Sequence, residues 1–537
     1  RHLRIGSGEG RVAQALGRFF DALETRYHEL IGVTLRMRWT IVLLTLIAVL
    51  SSGWLFGLIG KGFFPEQDDG YFLVTVKVPL GASITQATGR LEQIEQVLAQ
   101  QPEVDGYFVT LGQGDSAQVS QGSMLVHLRP WTERKASQQD VIDRLERELG
   151  DIAGVEAFPA PASPIGGMRG EPLHFVLLGP DLNEVARQAG LVHARLESEG
   201  IMGRLDVDLQ LNLPQLQLRV DRDQLASVGL TAQDVALAMS VLTGGWDVAN
   251  YNDIPGDGER YRIRLKAADG ELAGAEDLDR IYLRTPAGEM LRMDSVASLE
   301  RTVGPALIAR YDLQYAANFR TTPTISEGEA GARVIAIGKE MLPPGYQVKL
   351  AGRAEEFQKT SKYMLMTFVT AILLVYMVLA SQFNSFVQPL IVMVAQPLAI
   401  IGGVFSLWAM GHTINMFSMI GLVLLVGLVA KNSILLVDLT NQLRTRGMGI
   451  DEALATACPI RMRPVLMTSL TIVLAMLPAA SGVGAGSDTN APLAVAVIGG
   501  MISSTLLTLV VVPAVYSLVE NGLARRRQRI GADAAAA

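Results

Sequence analysis

Gly421-Leu-Val-Leu-Leu-Val-Gly427-Leu-Val-Ala-Lys431-Asn432-Ser-Ile-Leu-Leu-Val-Asp438 is the stretch on which the fold turns. It reads as an apolar helix long enough to cross a bilayer, with a lysine well inside it. A cation at that depth costs roughly 2.5–3.5 kcal/mol on insertion scales. Such a residue usually faces the bundle interior, pairs with an acid and marks an ion or proton route. Gly427 lies one turn before Lys431 and Asp438 two turns after it, on one face. A glycine there lets another helix come close. The alternative is a lysine snorkelling to the surface; the apolar residues that follow Lys431 count against it.

Working outward, five more spans are expected, at Thr40–Gly60, Tyr363–Ala380, Phe386–Met410, Pro464–Ala480 and Ala491–Val519, beside Asn415–Leu439 itself. Trp39 stands at the entry of the first and Lys61 at its exit. Pro389 and Pro464 fall near expected helix starts, where proline costs little. Pro397 is interior and should kink its helix. Gly499 and Ser503 form a small-xxx-small packing pair. Val12–Met37 is amphipathic, either a helix lying on the membrane face or an ordinary linker helix.

Charge orients the spans. Arg444, Arg446, Arg461 and Arg463 lie in the Thr440–Arg463 connection, and Arg525, Arg526, Arg527 and Arg529 in the tail. The connections Gly411–Thr413 and Ser481–Asn490 carry no Lys or Arg. By the positive-inside rule both termini are cytoplasmic, and the segment 66–355 lies across the membrane, in the periplasm of a two-membrane bacterium.

That segment has the composition of a soluble protein. Strand-like alternation at Tyr71–Pro79, helical spacing at Ser83–Gln100, strands at Gly106–Leu111 and Met124–Leu128, a helix at Ser137–Leu149 and a strand at Val155–Phe158 give the order β-α-β-β-α-β. This is the ferredoxin-like split unit. A second unit starts at Leu173–Leu178, runs through a helix at Leu182–Ser198 and a strand at Gly203–Leu209, and resumes at Ser326–Met341 and Tyr346–Leu350. Residues 216–304 would be an insertion with its own helix (Thr231–Leu242) and a Gly- and Asp-rich hairpin-like loop. The fold class is therefore an α+β membrane protein: six transmembrane helices and a large periplasmic region of ferredoxin-like subdomains with one insertion.

Composition removes several functions. With 537 residues and a net charge of −7, nothing points to nucleic acid. One cysteine, Cys458, excludes an internal disulfide, and the six histidines show no metal-ligand spacing. No phosphate loop, nucleophile elbow or zinc-protease pattern occurs, so no cofactor is expected. What remains is polarity inside the membrane. Arg461 and Thr468 share a helix face two turns long. They read either as one end of a polar path beside Lys431 or as a positive anchor plus a packing hydroxyl.

Five strings then carry a resemblance: Phe63-Phe-Pro-Glu-Gln-Asp-Asp-Gly70, His127-Leu-Arg-Pro-Trp-Thr-Glu-Arg134, Ala380-Ser-Gln-Phe-Asn-Ser-Phe386, Gly427-Leu-Val-Ala-Lys-Asn-Ser-Ile-Leu435 and Arg461-Met-Arg-Pro-Val-Leu-Met-Thr-Ser469. In this order they resemble the C-terminal half of the resistance-nodulation-division (RND) transporters, and the second string looks most like the hydrophobe/amphiphile branch. The resemblance implies a proton/drug antiporter of the inner membrane, working as a trimer with a periplasmic adaptor protein and an outer-membrane channel. It implies that Lys431 pairs with two aspartates of an N-terminal half with six further spans, and that Asn432, Arg461 and Thr468 belong to the proton relay. It assigns 67–166, and 167–215 plus 305–355, to two porter subdomains and 216–304 to a docking subdomain. No acid pair is supplied here, so the chain, which begins with Arg1, is expected to be a fragment, with a true half-size subunit the other reading.

The resemblance also places a substrate cleft. Gln113, in the Gly-rich stretch Leu111–Gly122, aligns with the family's mobile cleft loop, without the aromatic residue drug pumps often carry there. Phe158 falls near an aromatic drug-pocket position, with core packing an equal explanation. Met124 and Met168 could approach the cleft. Copper-type relatives use three methionines, and no third one stands near Tyr71–Thr75. Drug export is thus the leading expectation; heavy-metal export and an accessory scaffolding half are the alternatives.

Overall fold

The computed structural model describes residues 11–65, 67–112, 118–163, 170–252, 258, 260–268, 270–272, 274–482 and 487–536. The chain opens with helices α1 (Arg11–Arg36) and α2 (Arg38–Leu58), then leaves the helical bundle. The first sheet unit follows as β1 (Tyr71–Lys77), α3 (Ile84–Ala99), β2 (Val104–Leu111), β3 (Gln121–Leu128), α4 (Gln138–Gly150) and β4 (Glu156–Pro161). Its antiparallel strands lie in the order β2-β3-β1-β4. Period-two alternation puts Phe72, Val74 and Val76 on one face, where they pack with Leu91, Ile94, Val141 and Leu145 from the two helices. Ser83 and Ser137 start those helices with capping boxes.

The second unit is β5 (Leu173–Gly179), α5 (Leu182–Glu199) and β6 (Asp206–Val207), interrupted before it completes. The interruption comprises β7 (Leu213–Val220), α6 (Arg222–Ser227), α7 (Ala232–Gly244), β8 (Trp246–Tyr251), β9 (Tyr261–Leu265), β10 (Tyr282–Arg284), β11 (Met290–Arg292) and β12 (Ala297–Gly304). β7 pairs with β12, so the excursion leaves and returns along one two-stranded ribbon. It has its own small core, including Leu225, Val235, Leu278 and Met293. The chain then adds β13 (Ala309–Tyr311), β14 (Gln314–Thr321), α8 (Glu327–Met341) and β15 (Gln347–Ala351). The strands run β13-β14-β5-β15, with β6 also on β14. Phe175 stacks on Phe319 at 4.7 Å between ring centres in the core.

The two units are joined by polar contacts. Lys77 on β1 forms a buried ion pair with Asp206 on β6 and reaches the Val207 carbonyl at 3.2 Å. Beside them, the Arg204 backbone N–H donates to Glu146 at 3.3 Å.

The bundle closes with α9 (Gly352–Phe383), α10 (Gln388–Met393), α11 (Ala395–Ala409), α12 (Met416–Thr445), α13 (Ile450–Ala480) and α14 (Ala491–Ala536). Among the described residues, six helical segments are long and apolar enough to cross a membrane, α10 and α11 counting as one. α11 and α14 touch backbone to backbone: a Cβ on Gly402 would sit 2.6 Å from the Gly499 carbonyl oxygen. α1 does not float free. Tyr27 and Ile31 are buried against the bundle, and the Tyr27 hydroxyl donates to Leu509 O at 2.7 Å.

Two expectations about proline meet different outcomes. The helix breaks between Met393 and Ala395, where the Pro397 ring would collide with the carbonyl four residues back. Pro464, by contrast, is not at a helix start: α13 begins at Ile450, and Pro459, Pro464 and Pro478 all lie inside it. Interior proline is tolerated in membrane helices because neighbouring groups re-satisfy the freed backbone.

Candidate functional site

α12 is the spine of the site. Asn415 starts it with a buried capping box: its Oδ1 accepts from Ser418 N–H at 3.0 Å, and its own N–H donates to Ser418 Oγ at 2.8 Å. From there the helix divides into two faces. Leu425, Val429, Asn432, Ser433 and Leu436 are buried in the bundle. Ile420, Leu424, Gly427 and Lys431 form the opposite stripe and are exposed on the surface of this chain. A Cβ added to Gly427 would meet nothing within 4 Å. Lys431 thus faces away from this chain's own bundle interior, and no described residue forms an ion pair or hydrogen bond with it. Asp438, two turns on, is occupied locally, accepting from Gln442 Nε2 at 2.9 Å.

Asn432, one residue on, turns inward and is 3 % exposed. Its Nδ2 donates to Ser469 Oγ on α13 at 3.3 Å. Its Oδ1 lies 3.5 Å from Thr468 Oγ1, whose one proton is directed to the nearer Val465 carbonyl at 3.0 Å. Ser469 in turn meets Thr505 of α14 at 2.7 Å. Arg461 is half-buried, with no partner for its Nε among the described residues. Arg463, two residues on, bridges Asp21 and Glu24 of α1 at 2.5 and 2.7 Å.

Of the four residues expected in the relay, Asn432 and Thr468 are brought into contact; Lys431 and Arg461 make no bond to either. Ser469 and Thr505 were not anticipated. Ser469 closes the string Arg461–Ser469, and Thr505 lies two residues past the Gly499–Ser503 packing pair.

The expected cleft residues separate differently. Met124 is a correction. It pairs with Val74 and is fully buried under α3 and α4, so it presents no surface to a cleft. Phe158 pairs with Thr75 on the sheet face turned away from those helices and is also buried. Gln113 and Met168 lie outside the described residues. A cavity of about 620 Å³ lies instead where the two units meet the start of α9. It is lined by Asp143 and Arg147 of the first unit, Thr324 and Glu327 of the second, Arg353 of α9, and Asp69. Burial, then the nearby carboxylates of Asp68 and Asp488, hold the Asp69 pKa above its ordinary 3.8.

Six apolar helical segments, one carrying a cation on its open face, in a bundle joined to sheet units outside it, are the architecture of a multi-pass membrane protein. The chain belongs to the AcrB/AcrD/AcrF family of RND efflux transporters, which it matches over residues 4–520. Multidrug resistance protein MdtC of Cronobacter sakazakii is 27 % identical over 517 residues, covering 95 % of this chain and 50 % of that protein. The chain therefore spans about half the length of the curated relative it matches. Two crystal forms of a heavy metal efflux pump superpose with TM-scores of 0.84 and 0.81 at 24 % identity. They cover 93 % of this chain and 52 % and 51 % of those chains. At that identity the likeness establishes the fold.

Proposed function

We propose that this chain is the C-terminal half of a proton-driven inner-membrane pump that exports amphiphilic small molecules from the periplasm and membrane. The observation that carries this reading is Lys431, an ammonium at membrane depth on an open apolar stripe. A charge left there without a partner is strongly destabilising, so a carboxylate from a second six-span unit must answer it. Gly427, one turn away with open space over it, gives that unit room to approach. Protonation of the facing acids would break the pair. Asn432, Thr468 and the half-buried Arg461 would supply the polar surroundings through which the proton moves.

The remaining assignments follow from the same reading. The sheet units 67–166 and 167–215 plus 305–355 are porter subdomains, and 216–304 is a docking subdomain toward a periplasmic adaptor and an outer-membrane channel. The working form is a homotrimer, and the positive-inside rule, applied to the arginines of the Thr440–Arg463 connection and the tail, supports cytoplasmic termini. Amphiphile export is favoured over metal export because Met124, a methionine that a metal path would need, is enclosed in a hydrophobic core.

The test is the full-length transporter expressed in a pump-deficient bacterium. Resistance to cationic dyes and bile-salt-type detergents should rise while tolerance of copper, silver and zinc salts stays unchanged. Metal tolerance alone would establish the other branch. No change in either would favour the scaffolding role.

A further inference from the structure

Three buried polar side chains on three helices are joined by hydrogen bonds. Asn432, Ser469 and Thr505 are 3, 5 and 4 % exposed. The direction of their hydrogen bonds follows from counting protons. Thr505 Oγ1 lies 2.6 Å from the Met501 carbonyl and 2.7 Å from Ser469 Oγ, and it has one proton to give. A carbonyl only accepts, and two oxygens 2.6 Å apart need a proton between them. The Thr505 proton therefore goes to Met501, and the Thr505 oxygen accepts the proton of Ser469. Ser469 Oγ is then left to accept from an N–H, which is what Asn432 Nδ2 supplies at 3.3 Å. The Asn432 amide is thereby oriented, its NH2 toward α13 and α14 and its oxygen toward Thr468.

We infer that Thr505, acting through Ser469, is a positioning residue that fixes the Asn432 carboxamide, next to Lys431 in sequence, so that an acceptor oxygen faces Thr468. The inference rests on the proton-coupling reading above. Without Thr505 the Ser469 proton has no fixed acceptor. Ser469 can then donate to the amide, whose flipped form presents NH2 to Thr468, and the polar surroundings of the coupling site reverse.

The experiment uses the full-length transporter in proteoliposomes, with the rate of dye export measured as a function of pH. Thr505→Val, which keeps the shape and removes the hydroxyl, should displace the pH–rate profile and slow export roughly 2- to 30-fold, the range typical of mutations that tune coupling. Thr505→Ser should restore both. Ser469→Ala should give the same displacement, and the Thr505→Val/Ser469→Ala double variant should be no worse than either single one, because the two act in series. Assembly should survive, since such bonds between membrane helices contribute little to stability. A wild-type profile in Ser469→Ala or Thr505→Val, with Lys431→Met inactive, would overturn the positioning role and leave the coupling reading standing. Full activity in Lys431→Met would overturn the coupling reading beneath it.

Discussion

Substituting Lys77 by methionine removes the ammonium that holds the two sheet units together and leaves Asp206 behind. Both side chains are nearly inaccessible, 9 % and 1 % exposed, so solvent screening gives little relief. Breaking a buried pair from one side costs about 3–5 kcal/mol, most of it the cost of the uncompensated charge. A cooperative unit of 150–250 residues loses about 2–4 °C per kcal/mol, which puts the shift at roughly 6–20 °C. The assay is thermal unfolding of the purified protein, followed by a probe in the sheet units. The Lys77→Met/Asp206→Leu double variant should recover most of the loss, because an apolar replacement of both partners is often neutral or stabilising. If Lys77→Met melts with the parent, or the double variant is no better than the single one, the pair is not the clasp described here.

Other expectations are more local. Arg144 donates two hydrogen bonds to Glu103, at 3.2 and 3.1 Å, and these hold the Glu103 pKa below its ordinary 4.5. The folded state thus binds fewer protons there than the unfolded one. The stabilisation is full above the ordinary glutamate value and is lost as pH falls through the lower folded value. Melting temperatures followed downward from neutral pH should show this slope, and Glu103→Gln should flatten it. At the α11–α14 crossing, a Cβ on Gly499 would lie 2.7 Å from the Gly402 carbonyl oxygen. Gly499→Leu should cost at least the 1–3 kcal/mol typical of overpacking, read as loss of the monodisperse peak in size-exclusion chromatography.

Much of this architecture is legible in the residues because local physics decides it. Serine caps at Ser83 and Ser137, alternation in β1 and the break before Pro397 each depend on a few neighbours. β7, β12 and β14 were harder to read. β7 and β12 form a largely exposed two-stranded ribbon whose partners lie far apart in sequence, so the alternation of Leu216, Leu218 and Val220 in β7 does not by itself say what it pairs with. Long-range pairing also hid Met124, which had the chemistry of a ligand and the position of a core residue. Spacing placed Lys431 in the membrane but left its direction open, since a helix wheel does not say which stripe a neighbour covers. Asn432, Ser469 and Thr505 meet only when three helices are packed, and no single helix records it.

The account stands on Lys431 as the coupling charge. Proton flux driven by dye export, measured with a pH-sensitive fluorophore inside proteoliposomes of the full-length transporter, tests it most directly. Lys431→Met should abolish both fluxes while the protein assembles normally. Undiminished proton-coupled export in that variant would contradict the account.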